Sequence, residues 1–323
     1  MNYITLEKTK SKYSNSAKKV MDQTVLVTGA TGFIGTKLVE KLVQRQTNVT
    51  SLIRQGKNSP PGSKGVIGDL TESGLSIPME SIDCVIHLAS HTPLEKNKKI
   101  LEKVNLGGTK NLFNQIKDKT NSIIYISGLG VYGDPGDNIV DESFPYNPTT
   151  DFVKVRLDAQ KFLEKNCKEL GINLSVIHFG DVYGTRGWFY EFMIKRLLKN
   201  TFRLPKNGEY FKGFVHVDDA VGSLITVLDK NIKNETFIVS DSLPTTFREF
   251  ADFTADEIGK KHPGNVPVFL AKALLGGDLI KLLTSSMKVS NKKISQIYDF
   301  KFPSYREGVP NIISELRSKQ LLE

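Results

Sequence analysis

Gly29, Gly32 and Gly35 stand three residues apart in Thr28-Gly-Ala-Thr-Gly-Phe-Ile-Gly35, directly after the β-branched run Thr24-Val-Leu-Val-Thr28. Ile34, Leu38 and Leu42 then take up helical spacing. A strand, a glycine turn and a helix in that order suit a pyrophosphate. Gly29 permits the tight turn, Gly32 lets the backbone approach the ligand, and Gly35 lets helix and strand pack closely. Thr31, Phe33 and Ile34 belong to the same turn and join the candidate set. The next strand ends Ser51-Leu-Ile-Arg54, with Lys57 nearby and no acid before Asp69. An acid at that strand end would accept from a ribose hydroxyl, whereas a cation suits a 2′-phosphate. Arg54 therefore predicts NADP, with NAD as the other dinucleotide the turn could hold. A solvated strand-end arginine is the plainer alternative.

The elements that must position this turn alternate. Strands are predicted at Val49–Ile53, Gly65–Gly68, Asp83–Ala89, Ser122–Ser127 and Asn173–Phe179, and helices at 95–117 and 150–170. Such alternation implies an α/β protein with a Rossmann-type, doubly wound parallel sheet. After Gly180 the rhythm shifts to helices at 188–199 and 217–228, a last buried strand at Thr236–Val239, and mainly helix from Thr245 onward. The expected division is a Rossmann domain of 21–178 plus 214–239 and a smaller, mainly helical substrate-binding domain of 179–213 plus 240–323. A ligand cleft would lie between them.

Composition narrows the class. The 323 residues are 39% hydrophobic and 24% charged, ordinary for a globular chain. Cys84 and Cys167 are too few for a disulfide scaffold and form no C-x-x-C pair, which predicts a cytoplasmic protein. The most apolar segment, 266–283, is broken by Pro267, Lys272, Asp278 and Lys281, so no integral membrane segment is expected. Of the net charge of +9, residues 1–20 carry +4, from five lysines against Glu7, and the remaining residues +5. That segment is expected to be a flexible basic tail, with an alternative start at Met21 or a targeting presequence as other readings. No basic run with interleaved aromatics suggests nucleic acid. His87 and His91 are four apart but lie at a strand end, so no metal site is expected.

The chain resembles the extended short-chain dehydrogenase/reductase superfamily, also called the NAD-dependent epimerase/dehydratase family. The motifs that carry this are Thr28 to Gly35, Gly68-Asp-Leu70, His87-Leu-Ala-Ser90, Asn105-Leu-Gly-Gly-Thr109, Ser127, Val131-Tyr-Gly133, Val182-Tyr-Gly184 and His216-Val-Asp-Asp219. The resemblance implies that Asp69 and Leu70 contact adenine. It places Leu88, Ala89 and Ser90 along the ribose and nicotinamide, with Asn105 beside them, and turns Ser127 toward substrate. The family's proline after the sixth strand is Phe179 here.

The superfamily's working acid is a tyrosine four residues before a lysine, whose cation lowers the phenol pKa. None of the ten tyrosines has a lysine four residues later. Aligned on the 150–170 helix, Phe152 takes the tyrosine position and Arg156 the lysine position. Phe152 has no proton to give, and Arg156 stays charged but could hold ribose hydroxyls. Substitute donors are Ser127, Tyr132, His91, Tyr183 and Tyr146. For substrate, Lys212 replaces the arginine that nucleotide-sugar members use to grip a diphosphate, and Trp188 and His216 complete the candidate set. The aromatics around Trp188 suit an apolar substrate or simply a small-domain core.

Two function classes follow. One is an NADP(H)-dependent oxidoreductase or epimerase-like enzyme acting on a small-molecule substrate with a relocated acid. The other is a catalytically silent dinucleotide-binding sensor or assembly protein. Homodimerisation is open under both, and lipid association through the tail and 266–283 is a minor third reading.

Overall fold

The computed structural model describes residues 23–322, so the expected tail at 1–20 lies outside the described residues. Seven strands build the main sheet: β1 Thr24–Thr28, β2 Asn48–Ile53, β3 Lys64–Ile67, β4 Cys84–His87, β5 Ser122–Gly128, β6 Asn173–Phe179 and β7 Thr236–Val239. All pairings are parallel, in the order β7-β6-β5-β4-β1-β2-β3. The order reverses between β1 and β4, the place where open α/β sheets form a ligand crevice. Thr28 on β1 is level with Leu52 on β2 and His87 on β4, so these three strands end at one edge.

Helices cover both faces. On one, α1 Phe33–Gln44 buries Leu38, Val39 and Leu42 against Val25, Val27 and Ile86. On the other, α2 and α3 pack Leu112, Phe113, Ile116, Ala159 and Leu163 against Leu26, Val85 and Ile123. Helix α2 runs through Lys98–Leu101, a π-helical turn Glu102–Gly107 and Gly108–Ile116, and α3 is Asp151–Leu170. Thr150 caps α3 by accepting from the Val153 amide, and Gly171 ends it in a left-handed conformation. Alternate residues of β1 and β5 enter opposite cores, which is why these strands are apolar almost throughout.

The second half supplies α4 (a π-helical Trp188–Ile194 leading into Lys195–Leu198), α5 Val217–Asp229, α6 Phe247–Glu257, α7 Val268–Leu275, α8 Gly277–Leu283 and α9 Tyr305–Ser318. Helix α5 returns to the main sheet beside α1. Helices α4, α6 and α9 enclose an aromatic core in which Phe214 stacks on Phe250 at 3.9 Å. Four two-stranded ladders stitch the connections, among them Asp181–Tyr183 with Phe214–His216. No described helix is long and apolar enough to cross a membrane.

Asp219 on α5 ties the chain before α9 to the sheet. Its fully buried carboxylate accepts from Tyr298 Oη at 2.7 Å, Lys301 N at 2.7 Å and Phe302 N at 2.9 Å. Asp219→Ala leaves three donors without their acceptor and is expected to cost about 2–4 kcal/mol, read as a lower urea midpoint at unchanged slope.

Candidate functional site

The glycine turn is built as its spacing implies. Gly29 has φ +70°, and a methyl group there would lie 2.8 Å from the Ala89 amide nitrogen. One on Gly35 would lie 2.1 Å from the Gly29 carbonyl oxygen. The close packing of β1, α1 and the chain after β4 therefore requires both glycines. Gly32 differs. It is exposed at the helix N-cap, and an added methyl would meet only the Gly29 carbonyl, at 3.1 Å. That backbone contact is tighter than most Cβ atoms make, and the exposed helix N-terminus also suits a ligand. Thr31 is exposed beside it, and Phe33 and Ile34 are half-buried.

An open cleft of about 540 Å³ adjoins the end of β2. Arg54, Lys57, Ile67, Gly68, Asp69 and Glu72 help to line it. Its charge is mixed, because Asp69 and Glu72 face the same space as Arg54 and Lys57. Asp69 Oδ1 accepts from the Thr71 amide at 2.7 Å, which with the more distant Arg54 charge holds its carboxyl below the usual range. Leu70 is buried. Ile67, absent from the sequence candidates, is 67% exposed and offers an apolar wall. Its outward place at the end of β3 was the available signal.

Beyond β4 a polar clamp holds the loop. Asn105, in the π-helical turn of α2, accepts through Oδ1 from His91 N at 2.8 Å and from Ser90 Oγ at 3.2 Å. Its buried Nδ2 has no protein partner. Thr28 Oγ1 lies 2.7 Å from His87 Nδ1, His87 Nε2 lies 3.0 Å from Thr109 Oγ1, and Thr109 donates to Asn105 O. Because Thr109 spends its proton on that carbonyl, His87 donates from Nε2 and accepts at Nδ1. Burial keeps the ring neutral.

A parallel network lies under β5 and β6. Tyr132 Oη is 2.8 Å from His178 Nδ1, His178 Nε2 is 3.0 Å from Gln160 Oε1, and Gln160 Nε2 donates to Tyr146 Oη at 3.1 Å and to Glu164. His178 must donate to the amide oxygen, so Tyr132 donates to Nδ1 and its proton is occupied. Burial, then the Arg156 charge, lowers the pKa of His87 and of His178 to about 3. Residue types alone did not reveal this network, because its members are scattered over the loop after β5, α3 and β6.

Arg156 on α3 donates through Nη2 to the Ile126 carbonyl at 2.6 Å, and its guanidinium lies 5.6 Å from the Phe152 ring centroid. Its Nε and the neighbouring Ser127 Oγ are buried without protein partners. Phe152, Thr150, Leu101, Leu275, Leu279 and Leu282 are among the walls of a second cavity of about 160 Å³.

Burial corrects several candidates. Tyr183 is 0% exposed and packed by Phe189, His216 and Phe250, and burial drives its phenol pKa upward. Tyr132 is 1% exposed and bonded to His178. Neither phenol is open to a substrate. Trp188 donates its indole N–H to Val182 O at 2.8 Å within the aromatic core, so the small-domain packing role describes it. His216 caps α5 by accepting from Asp218 N at 3.1 Å and lies 4.0 Å from the Phe302 ring. Lys212 donates to Leu282 O at 3.1 Å; burial lowers its pKa, and Asp181 opposes that shift. His91 is half-exposed, and Tyr146 half-buried. Both thiols are buried and pushed up to about 12, which makes them inert at neutral pH. Among the described residues, no cluster of three or more His, Cys, Asp or Glu could hold a metal.

A glycine turn opening onto a parallel sheet's switch point defines a Rossmann-type dinucleotide-binding protein. Residues 25–240 match the model of the NAD dependent epimerase/dehydratase family, and the chain belongs to that family of NAD(P)-dependent enzymes. It is 27% identical over 253 residues to a putative UDP-glucose 4-epimerase of Methanocaldococcus jannaschii, covering 73% of this chain and 82% of that one. It is 26% identical to a 3-diazoavenalumate denitrifying reductase of Streptomyces sp, covering 88% and 98%. A human epimerase family protein solved with NADPH shares the fold at TM-score 0.77 and 21% identity, covering 91% of this chain and all of that one. The UDP-glucose 4-epimerase of Thermotoga maritima, solved with UDP-glucose, does so at TM-score 0.78 and 20% identity over 92% of this chain.

The neutral histidines make stability acid-sensitive. Their folded pKa values lie below the unfolded value near 6.5, so their stabilisation is complete above that pH and is lost as pH falls toward 3. His178→Gln should make urea-derived stability between pH 6 and 4 shallower by up to about 1.4 kcal/mol per pH unit.

Proposed function

We propose that this chain is an NADP(H)-dependent oxidoreductase or epimerase-like enzyme for a small organic substrate, working with a proton donor outside a Tyr-x-x-x-Lys pair. The observation that carries this is the exposed N-terminus of α1, where the Gly29–Gly35 turn leaves the Gly32 backbone uncovered at the switch point of the parallel sheet. Gly29, Thr31, Gly32, Phe33, Ile34 and Gly35 would form the pyrophosphate turn. Arg54 would meet a 2′-phosphate, with Asp69 and Leu70 beside the adenine. Leu88, Ala89, Ser90, Asn105 and Arg156 would border the ribose and nicotinamide. A bound nicotinamide supplies or accepts a hydride. The NADPH in the human neighbour supports the choice of cofactor.

The chain's own work is to hold substrate and supply a proton. Substrate would enter between the Rossmann part (21–178 with 214–239) and the remainder, past Ser127 and Lys212. Ser127 Oγ, buried and unpartnered, is suited to holding a substrate oxygen. His91 and Tyr146 are the donors left once burial removes Tyr132 and Tyr183. A homodimer and a cytoplasmic setting go with this reading as expectations.

A silent dinucleotide-binding protein is the second reading, and one observation favours it. Arg156 is already committed to the Ile126 carbonyl with Phe152 beside it, so this pair supplies no titratable group.

Two measurements decide between these. Arg54→Ala should reduce the preference for NADPH over NADH by roughly 10–100-fold in calorimetric dissociation constants, the worth of one charge-assisted phosphate contact; unchanged preference would make Arg54 a surface residue. A substrate screen read by NADPH oxidation tests turnover. An active parent should lose ~10²–10⁴-fold on removal of its donor, through His91→Ala or Tyr146→Phe. In a silent parent, Phe152→Tyr with Arg156→Lys should create activity that neither single change does.

A further inference from the structure

Helix α7 has the sequence Val-Phe-Leu-Ala-Lys-Ala-Leu-Leu, with Lys272 its one charge. Ala271 is buried against the protein. The opposite side is Phe269, Leu270, Ala273 and Leu274, all exposed, with Phe269 at 71%, Leu270 at 44% and Leu274 at 76%. A surface helix normally turns polar residues outward, and one apolar all round is normally enclosed. Contiguous exposed apolar surface of this kind marks an interaction site. Leu94 is also 67% exposed, and its sequence neighbours Pro93 and Glu95 line the same small cavity as Leu275 at the end of α7.

The charges around the patch say what covers it. Lys96, Lys272 and Lys281 are exposed, and none has an ion pair among the described residues. Lys96 packs beside Gly276, the residue between α7 and α8. Lys98 pairs with Asp151 at 3.9 Å, while Glu95 and Asp278, which accept from Asn97 N at 2.8 Å and Asp151 N at 3.1 Å, keep their charge, so three unpaired lysines stand against two carboxylates. Apolar side chains centred between free lysines match an interfacial helix, whose apolar face enters the acyl boundary while its cations meet anionic headgroups.

We propose that α7 docks this protein onto the surface of an anionic lipid bilayer. The cavity that reaches Phe152 would then open close to the lipid. The docking surface stands apart from the proposed redox function, and the two can fail separately.

Co-sedimentation of the full chain with phosphatidylcholine vesicles, with and without phosphatidylglycerol, tests it. Binding should require phosphatidylglycerol and weaken with added salt. Phe269→Glu with Leu274→Glu should lower the partition coefficient by about ten-fold or more, with unchanged thermal unfolding and NADPH affinity. Lys272→Glu with Lys281→Glu should also weaken it, and a chain lacking residues 1–20 should still respond to the α7 changes. The proposal is overturned if the parent does not sediment, if binding survives the α7 changes, or if those changes dissolve a lipid-free dimer. Loss of NADPH binding with vesicle binding intact would count against the redox reading alone.

Discussion

A methyl group on residue 35 would sit 2.1 Å from the Gly29 carbonyl oxygen, and one on residue 29 would sit 2.8 Å from the Ala89 amide. Strand β1, helix α1 and the chain leaving β4 thus meet at backbone contact, and the rest of the site inherits its geometry from that contact. It aims the α1 N-terminus across the switch point of the sheet and leaves Gly32 open on its outer side. It also brings Ala89 against the turn, where its amide donates to Thr28 Oγ1 at 3.2 Å. Thr28 holds His87, His87 holds Thr109, and Thr109 sits one helical turn from Asn105, which clamps Ser90 and His91. One steric constraint therefore sets both the glycine turn and the loop after β4.

The two buried histidines extend this order inward. Each ring has a hydrogen-bond partner at both nitrogens. Protonating either would place a charge at full burial near Arg156, so both stay neutral. Their networks sit at β4, at β6 and in the loop after β5, near the strand ends that carry Leu88, Ser127 and Gly180. Rigid polar cores beneath strand ends are what a precise binding site needs, because loops there have few apolar anchors of their own.

Much of this was legible in the chain. β6 and β7 occupy Asn173–Phe179 and Thr236–Val239 as their apolar runs predict, and α3 begins one residue after its Thr150 cap. Local signals sufficed because burial on both sheet faces forces unbroken apolar strands. The glycine turn was legible for the same reason, since sterics at a tight turn leave few residue types. The short ladders were not, because two- and three-residue strands carry no period. Nor was the Tyr132–His178–Gln160–Tyr146 network, which depends on tertiary approach between residues up to 46 apart. Tyr132 and Tyr183 looked like candidate acids because residue type shows chemistry and not burial. Ile67 was passed over because an outward apolar residue at a strand end resembles any other.

Phe152 and Arg156, four residues apart on α3, bear on what acid the cleft can offer. A lysine beside a tyrosine lowers the phenol pKa and makes it a proton donor. Here the cation is a guanidinium tied to the Ile126 carbonyl, and its ring neighbour cannot ionise. The phenols of Tyr125, Tyr132, Tyr146 and Tyr183 are all raised, with burial the leading cause. Arg156 acts in the lowering direction on Tyr125, but burial outweighs it. A phenol with a raised pKa gives up its proton reluctantly, yet it remains a good hydrogen-bond donor. A tyrosine in this setting therefore favours chemistry in which it orients an oxygen and the proton comes from solvent or a more exposed group. Tyr146, half-buried, already accepts from Gln160, while Asn105 pins the main-chain amide of His91, which is likewise half-buried. The order around Gly29 and Asn105 thus fixes the backbone of the loop after β4 and leaves the His91 side chain outside the network.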